Sequence, residues 1–196
     1  MNIYETKRVI SCILNVDDDI SLEYVEDKMP SYVPHEKRIQ IVKELYWNEV
    51  YQLSHELLHA AFYKYNGCMP CEYLWIEEIV CEAFSIYCIE KYCHSEKIYW
   101  FGYLSQNYYI LNGNVSEPEK IKTIKELNGK LGGFKEYGVR QFIHPYALDI
   151  KNIINEDFGQ LEEFLNYRKY IQDGKIEIDA TNRIAIKIFS LQEKLQ

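Results

Sequence analysis

The sequence has no long hydrophobic run and no excess of basic residues. No apolar stretch approaches the ~20 residues that span a bilayer, so we expect no membrane partner. Lys and Arg number 22 against 30 Asp and Glu, which gives a formal net charge of −8. A surface that binds nucleic acid would have to be a local basic patch on a protein whose overall charge repels nucleic acid. We therefore expect no nucleic-acid partner.

The N-terminal segment lacks the features of a secretory signal. Its apolar part, Val9 to Val16, is short, has no small-x-small cleavage site and runs into three aspartates. This pattern predicts a β-strand followed by a turn, and a cytoplasmic location. In the cytoplasm the six cysteines would be mostly reduced. Because their number is even, pairing in disulfides remains an alternative. The lone C-x-x-C of Cys68 and Cys71 fits half a structural zinc site or a redox pair, but packing as small apolar groups is favoured.

The composition is that of an ordinary globular protein. The chain has 196 residues, of which 47% are hydrophobic and 27% are charged. These values exclude a disordered chain, a fibrous repeat and a coiled coil, and the length fits one domain, residues 1–196. The apolar periodicity predicts an α+β fold that is mainly strand over residues 1–45 and mainly helical over residues 46–196. One of the expected strands is Arg38–Val42, with Ile39 and Ile41 on one face.

Two consecutive helices are predicted at the start of the helical part. The first begins near Asn48 and ends before Gly67 and Pro70, and the second runs from Tyr73 to about Tyr92. The second is apolar nearly all round, which places it in the middle of the domain. A glycine-rich loop is expected over Gly129–Gly138, and the stretch Lys175–Leu191 is ambiguous between strand and helix. Further helices are predicted over Glu96–Leu111, Pro118–Leu127, Val139–Asn155 and Leu161–Gln172.

The first of these helices carries the sequence His55-Glu56-Leu57-Leu58-His59. Residues four apart lie on one helical face, so the imidazoles of His55 and His59 point the same way, one turn apart. That geometry lets two ligands share one Zn²⁺, and Glu56 sits beside them within reach of a metal-bound water.

The second helix has an acidic stripe in an otherwise apolar surface. Glu78, Glu82 and Ser85 share one face, and Glu77 lies roughly 100° away around the same turn. Carboxylates buried without a partner cost several kcal/mol each, and a cation resolves that conflict. We therefore expect Glu78 as the third metal ligand and Glu82 as the acceptor for a ligand histidine. Two alternatives stay open: Glu77 is the ligand if the helix phase differs, or the three glutamates face solvent.

His-Glu-x-x-His followed by Glu-x-x-x-Glu on the next helix resembles the gluzincin zinc metallopeptidases, which include thermolysin and the aminopeptidase N family. Eighteen residues separate His59 from Glu78, as in the aminopeptidases, and Trp75-Ile76-Glu77-Glu78 is similar to their Trp-Leu-Asn-Glu. The likeness covers about Val50 to Cys88. The glycine that usually follows the third ligand is Ile79 here, and the Gly-x-Met-Glu-Asn motif is absent. The resemblance implies a zincin-like catalytic core with Zn²⁺, without aminopeptidase specificity.

Such a core implies a hydrolytic mechanism. Two neutral histidines and one carboxylate leave Zn²⁺ a net positive charge and an open position for water, whose proton Glu56 takes as the water attacks a carbonyl. In gluzincins a downstream Tyr or His stabilises the oxyanion. The candidates are Tyr146 and then His144, in the segment Ile143-His144-Pro145-Tyr146 that opens a helix.

Three functions are therefore open. The first is a zinc peptidase that acts on a peptide or protein substrate, with Arg38–Val42 as an edge strand able to pair with an extended peptide. The second is a catalytically silent module with the zincin fold, which keeps the metal site and serves binding or regulation. The third is a metal-free helical protein in which the motif arose by chance.

Overall fold

The computed structural model describes residues 1–26, 29–68, 71–107, 121–131, 137–177 and 181–195. Over these ranges the fold is α+β, with a small sheet beside a mainly helical body, as predicted. In the same ranges no helix is both long enough and apolar enough to cross a membrane. The helices are α1 (Ile3–Leu14), α2 (Tyr46–Asn66), α3 (Leu74–Tyr92), α4 (Lys97–Asn107), α5 (Ile124–Leu131), α6 (Tyr137–Glu156), α7 (Gly159–Phe164) and α8 (Arg183–Lys194), and the strands are β1 (Ser21–Val25), β2 (Ser31–Val33), β3 (Arg38–Val42), β4 (Ile171–Gln172) and β5 (Lys175–Ile176).

The first element is a helix, so the predicted strand over Val9–Val16 is wrong. The side chain of Asn2 accepts the backbone N–H groups of Tyr4 and Glu5, and the Glu5 carboxylate accepts the Asn2 N–H in return. This capping box satisfies donors that a helix start otherwise leaves open. The buried residues of α1 recur at helical spacing, and Val9 is exposed. Residues 1–45 thus combine a helix with three strands.

The N-terminal sheet has the strand order β1–β3–β2. β1 pairs with β3 in parallel, and β2 pairs with β3 in antiparallel. β3 is therefore the central strand, and the prediction that Arg38–Val42 forms an edge is wrong. The two isoleucines of β3, Ile39 and Ile41, are both fully buried. This alternation of apolar residues is the pattern from which the sequence predicts the strand.

The helices α2 and α3 form the centre of the body. α2 ends where Gly67 adopts a φ of +72°, a conformation that glycine takes without steric cost. α3 is buried along nearly its whole length and packs against α2, α5 and α6. The prediction of a central apolar helix after the HExxH helix is confirmed.

The C-terminal part differs from prediction mainly in the lengths of its elements. The helix expected over Leu161–Gln172 ends at Phe164 and is followed by a 3₁₀ turn over Tyr167–Tyr170 and by β4. The ambiguous stretch contains a strand, β5, and then α8. Residues 108–120 and 132–136, which include parts of two predicted helices and of the predicted glycine-rich loop, lie outside the described residues.

The 3₁₀ turn returns the chain to the central helices. The ring of Tyr167 packs edge-on against Phe62 of α2 at 5.5 Å and stacks with Phe164 at 5.9 Å. Tyr167 is fully buried. These aromatic contacts bring a residue far along the chain beside the HExxH helix.

Candidate metal centre

The two imidazoles of α2 face the same carboxylate on α3. The ring centroids of His55 and His59 lie 5.0 Å apart. Nε2 of His55 lies 3.3 Å from Oε2 of Glu78, and Nε2 of His59 lies 3.5 Å from Oε1 of Glu78. The three side chains that the sequence names as metal ligands therefore meet at one place.

The opposite nitrogen of each imidazole faces another carboxylate of α3. Nδ1 of His59 lies 3.3 Å from Oε2 of Glu77, whose Oε1 accepts a 2.9 Å hydrogen bond from the hydroxyl of Tyr167. Nδ1 of His55 lies 3.9 Å from Oε2 of Glu82, which is longer than a hydrogen bond. Glu77 orients His59, and Glu82 lies on the corresponding side of His55, where an acceptor was predicted.

The acidic stripe of α3 does not face solvent. The exposed fraction of the side chain is 5% for Glu77 and 6% for Glu82, and it reaches only 26% for Glu78. The solvent-facing alternative is therefore wrong for Glu77 and Glu82. Glu78 is half-buried.

The cluster has an excess of negative charge. Glu56 of α2 and Glu77, Glu78 and Glu82 of α3 surround two imidazoles, so at most two positive charges face four carboxylates when all of these groups are ionised. A neutral His59 that donates from Nδ1 to Glu77 leaves its Nε2 as an acceptor, aimed at a carboxylate that also only accepts. A proton or a metal cation between Nε2 and Glu78 removes this conflict.

The pKa shifts of Glu78 and His59 also favour a positive charge in the cluster. Burial alone would raise the pKa of Glu78, but the hydrogen bonds and charges of His55 and His59 outweigh it and lower that pKa below its usual range. Burial alone would lower the pKa of His59, but contacts with Cys81 and with Glu77 and Glu78 outweigh it and hold the pKa well above its usual value. Both shifts favour a cation beside the Glu78 carboxylate.

Glu56 lies beside the imidazoles and is only 7% exposed. Burial raises its pKa, which the two imidazoles and a hydrogen bond from the backbone of Tyr32 partly offset. A carboxylate whose pKa is raised is better suited to accept a proton near neutral pH. Tyr32 belongs to β2, which packs on α2 and, within the described ranges, has a strand partner on one side only, so an edge strand lies next to Glu56.

A thiol to which the sequence analysis gave no role lies in the same cluster. One ligand atom each of His55, His59 and Cys81 lies within 4.8 Å of the other two, and this group could hold a metal ion. Cys81 is fully buried, and burial raises the pKa of its thiol to about 12. The thiol is therefore neutral on its own, whereas a coordinated thiol is deprotonated outright.

The spacing of the donor atoms fits a first-row divalent cation. Nitrogen and oxygen ligands at about 2.0–2.1 Å in a tetrahedron lie about 3.3–3.4 Å from one another. Nε2 of His55 lies 3.3 Å from Oε2 of Glu78, and Nε2 of His59 lies 3.5 Å from Oε1, so each nitrogen–oxygen separation is close to that value. A sulfur ligand at about 2.3 Å would lie about 3.5–3.6 Å from each nitrogen, which is shorter than the 4.8 Å limit of the Cys81 Sγ by about 1.3 Å.

The long helix α6 packs on α3. Nζ of Lys151 on α6 lies 3.1 Å from the Glu90 carboxylate near the end of α3. Phe158, just beyond α6, packs on Phe84 and Tyr87 of α3. The C-terminal part of α6 therefore contacts the C-terminal half of α3.

The contacts that the structure describes for Tyr146 lie outside the cluster. The Tyr146 ring lies under Nζ of Lys194 on α8 and packs against Phe142. The side chain of His144, the other predicted oxyanion donor, lies outside the described part of the chain. An oxyanion role for either residue stays a prediction without structural support.

Sequence reasoning missed two members of the site and gave a third a different role. Cys81 follows Glu77 by four residues and Glu78 by three, so the helical spacing that selected the glutamates also includes this thiol. Glu77 was considered as a metal ligand or as a solvent-facing residue, whereas it contacts the Nδ1 of His59. Tyr167 lies 90 positions from Glu77, and no local pattern signals that contact.

Comparison of the chain with protein-family models, with curated proteins and with solved structures found no match. The functional interpretation therefore rests on the cluster itself: two imidazoles from α2 and a set of glutamates and one thiol from α3, buried together.

Proposed function

We propose that the protein is a zinc-dependent hydrolase that cleaves peptide bonds. The observation that carries the proposal is the Glu78 carboxylate held between the Nε2 atoms of His55 and His59, with a further carboxylate beyond each imidazole. Borderline-soft Zn²⁺ accepts imidazole, carboxylate and thiolate ligands in tetrahedral geometry. The resemblance of the HExxH-x18-Glu pattern to the gluzincins supports the same metal and reaction.

Each residue of the cluster has a distinct task in this proposal. Zinc bound there would lower the pKa of a water molecule towards about 7 and polarise the substrate carbonyl. Glu56 accepts the proton of that water and then passes it to the leaving amine. His55, His59 and Glu78 hold the ion, and Glu77 keeps the Nε2 of His59 directed at it.

The substrate would be a peptide or protein in extended conformation. With β3 enclosed by its neighbours, the open edge on the α2 side is β2. The backbone of Tyr32 in β2 is hydrogen-bonded to Glu56, so a strand laid along this edge would pass beside the proposed base. Backbone hydrogen bonds to an edge strand bind peptides with little dependence on sequence.

The proposal is tested by the substitution Glu56→Gln, assayed on a broad peptide library with the zinc-loaded protein. Loss of the base is expected to lower the cleavage rate by about 10²–10⁴-fold with zinc still bound. Glu49→Gln is the matched control, because Glu49 is a buried glutamate of the same helix whose partners are Tyr24 and Lys43. Wild-type activity in Glu56→Gln would remove Glu56 as the base.

A second candidate is a catalytically silent module that keeps the metal. The thiol of Cys81 favours it, because a fourth protein ligand would fill the position that a hydrolase leaves open to water. A zinc content of one per chain with no cleavage in any peptide library would support this candidate over the hydrolase.

A further inference from the structure

The two imidazoles of α2 face two kinds of donor on α3. His55 and His59 are separated by four positions on α2, and Glu78 and Cys81 by three positions on α3. Both spacings place side chains on one helical face, and the two helices pack directly on each other. Glu78 lies against both imidazoles, and Sγ of Cys81 lies within 4.8 Å of a donor atom on each of them, so the imidazoles have one more donor beside them than a metal-activated water requires.

We propose that Cys81 is the fourth ligand of this centre, so that the resting protein holds its divalent ion in a site closed by a thiolate. This inference rests on the zinc chemistry proposed above and deepens it. His55 and His59 contribute nitrogen, Glu78 contributes oxygen, and the Cys81 Sγ, within 4.8 Å of a donor atom on each histidine, contributes sulfur.

A sulfur ligand would bind such an ion as a thiolate, with the thiol proton passing to solvent.

The closed site has a functional consequence. Four protein ligands are the arrangement of structural zinc sites, and catalytic sites keep the fourth position for water. While Cys81 is bound, water is excluded and hydrolysis is held back. Hydrolysis would require the sulfur to leave that position, so Cys81 would determine the fraction of protein that is competent for hydrolysis.

Cobalt(II) tests the ligand directly, because a thiolate bound to Co²⁺ gives a near-ultraviolet charge-transfer band that imidazole and carboxylate ligands do not give. We expect the wild-type protein with one equivalent of Co²⁺ to show this band together with visible ligand-field bands. Cys81→Ser should lose the near-ultraviolet band and keep the visible bands. Cys88→Ser is the matched control and should keep both, since Cys88 is a fully buried thiol of the same helix outside the cluster.

The wild-type spectrum alone is decisive if Cys81→Ser does not fold. Visible bands without the near-ultraviolet band, no cobalt binding at one equivalent, or a near-ultraviolet band that persists in Cys81→Ser would each overturn the proposal.

Peptide cleavage by zinc-loaded Cys81→Ala tests the gating role separately. The rate should rise at least tenfold over wild type, with no rise in Cys88→Ala, and equal rates in wild type and Cys81→Ala would overturn it. A charge-transfer band with no cleavage in any variant would leave Cys81 as a ligand and refute the hydrolase.

Discussion

Tyr167→Phe isolates one hydrogen bond that links the C-terminal segment to the candidate metal centre. The hydroxyl donates to Glu77 at 2.9 Å, and both side chains are buried. Burial raises the pKa of Tyr167, so the hydroxyl remains a donor throughout the neutral range. Phenylalanine keeps the aromatic packing against Phe62 and Phe164, so the change removes little besides the hydrogen bond.

The expected effects follow from the loss of that donor. A hydrogen bond to a charged group contributes about 1.5–3 kcal/mol to stability, which for a chain of this size lowers the melting temperature by roughly 3–12 °C. Glu77 also loses the contact that fixes its position against Nδ1 of His59. Removal of such an outer contact weakens metal binding by about 10–100-fold.

Two measurements check these effects: urea unfolding of the metal-free protein, and zinc affinity measured against a competing chelator. Tyr24→Phe is the matched control, because the hydroxyl of Tyr24 donates to another buried carboxylate, Glu49, also at 2.9 Å. The control should lose stability and keep its zinc affinity. Unchanged zinc affinity in Tyr167→Phe, or an equal loss in Tyr24→Phe, would refute the link from Tyr167 through Glu77 to His59.

Two further predictions concern pH and the first helix. The pKa of His59 in the folded protein is raised above its usual value of about 6.5. The protonated imidazole therefore contributes fully to the free energy of unfolding below pH 6.5, and this contribution is lost as the pH rises through the raised pKa. The urea midpoint of the chelator-treated protein should therefore fall from pH 6 to pH 9, a dependence that His59→Gln should flatten; a midpoint equally pH-dependent in both proteins would contradict this reasoning. Asn2→Ala should cost about 0.5–2 kcal/mol by removing the cap of α1, measured by urea unfolding, and an unchanged midpoint would show that the cap contributes nothing.

The sequence predicted the centre of the fold because its signals there are local and strong. Helical spacing and the terminating Gly67 define α2, and the continuous apolar surface of α3 identifies a buried helix. Since two adjacent buried helices must pack, the proximity of His55, His59 and Glu78 was predicted from helical spacing together with the likeness to the gluzincins.

The N-terminal part was less predictable because its elements are short. The segment Val9–Val16 was interpreted alone, without the Asn2–Glu5 capping box and the earlier residues of the same apolar face, and so it resembled a strand. The place of β3 between two partners depends on pairing between strands. A single strand's sequence does not specify which of its edges is covered.

The outer contacts of the site were beyond sequence reasoning for a different reason. Tyr167 reaches Glu77 only because the aromatic side chains of Phe62 and Phe164 bring the 3₁₀ turn against α2. Tyr146 was preferred for its place in the chain, yet its ring lies under Lys194 of α8. Both outcomes depend on long-range packing of helices.

Metal stoichiometry tests most directly whether the two imidazoles and their carboxylate hold an ion. The metal-free protein, mixed with a slight excess of Zn²⁺ and exchanged into buffer, should carry one zinc per chain by native mass spectrometry. The double variant His55→Ala and His59→Ala should carry none while keeping a helical circular-dichroism spectrum. A wild-type protein that retains no zinc, or a double variant that retains as much as the wild type, would contradict the metal centre and with it the hydrolase.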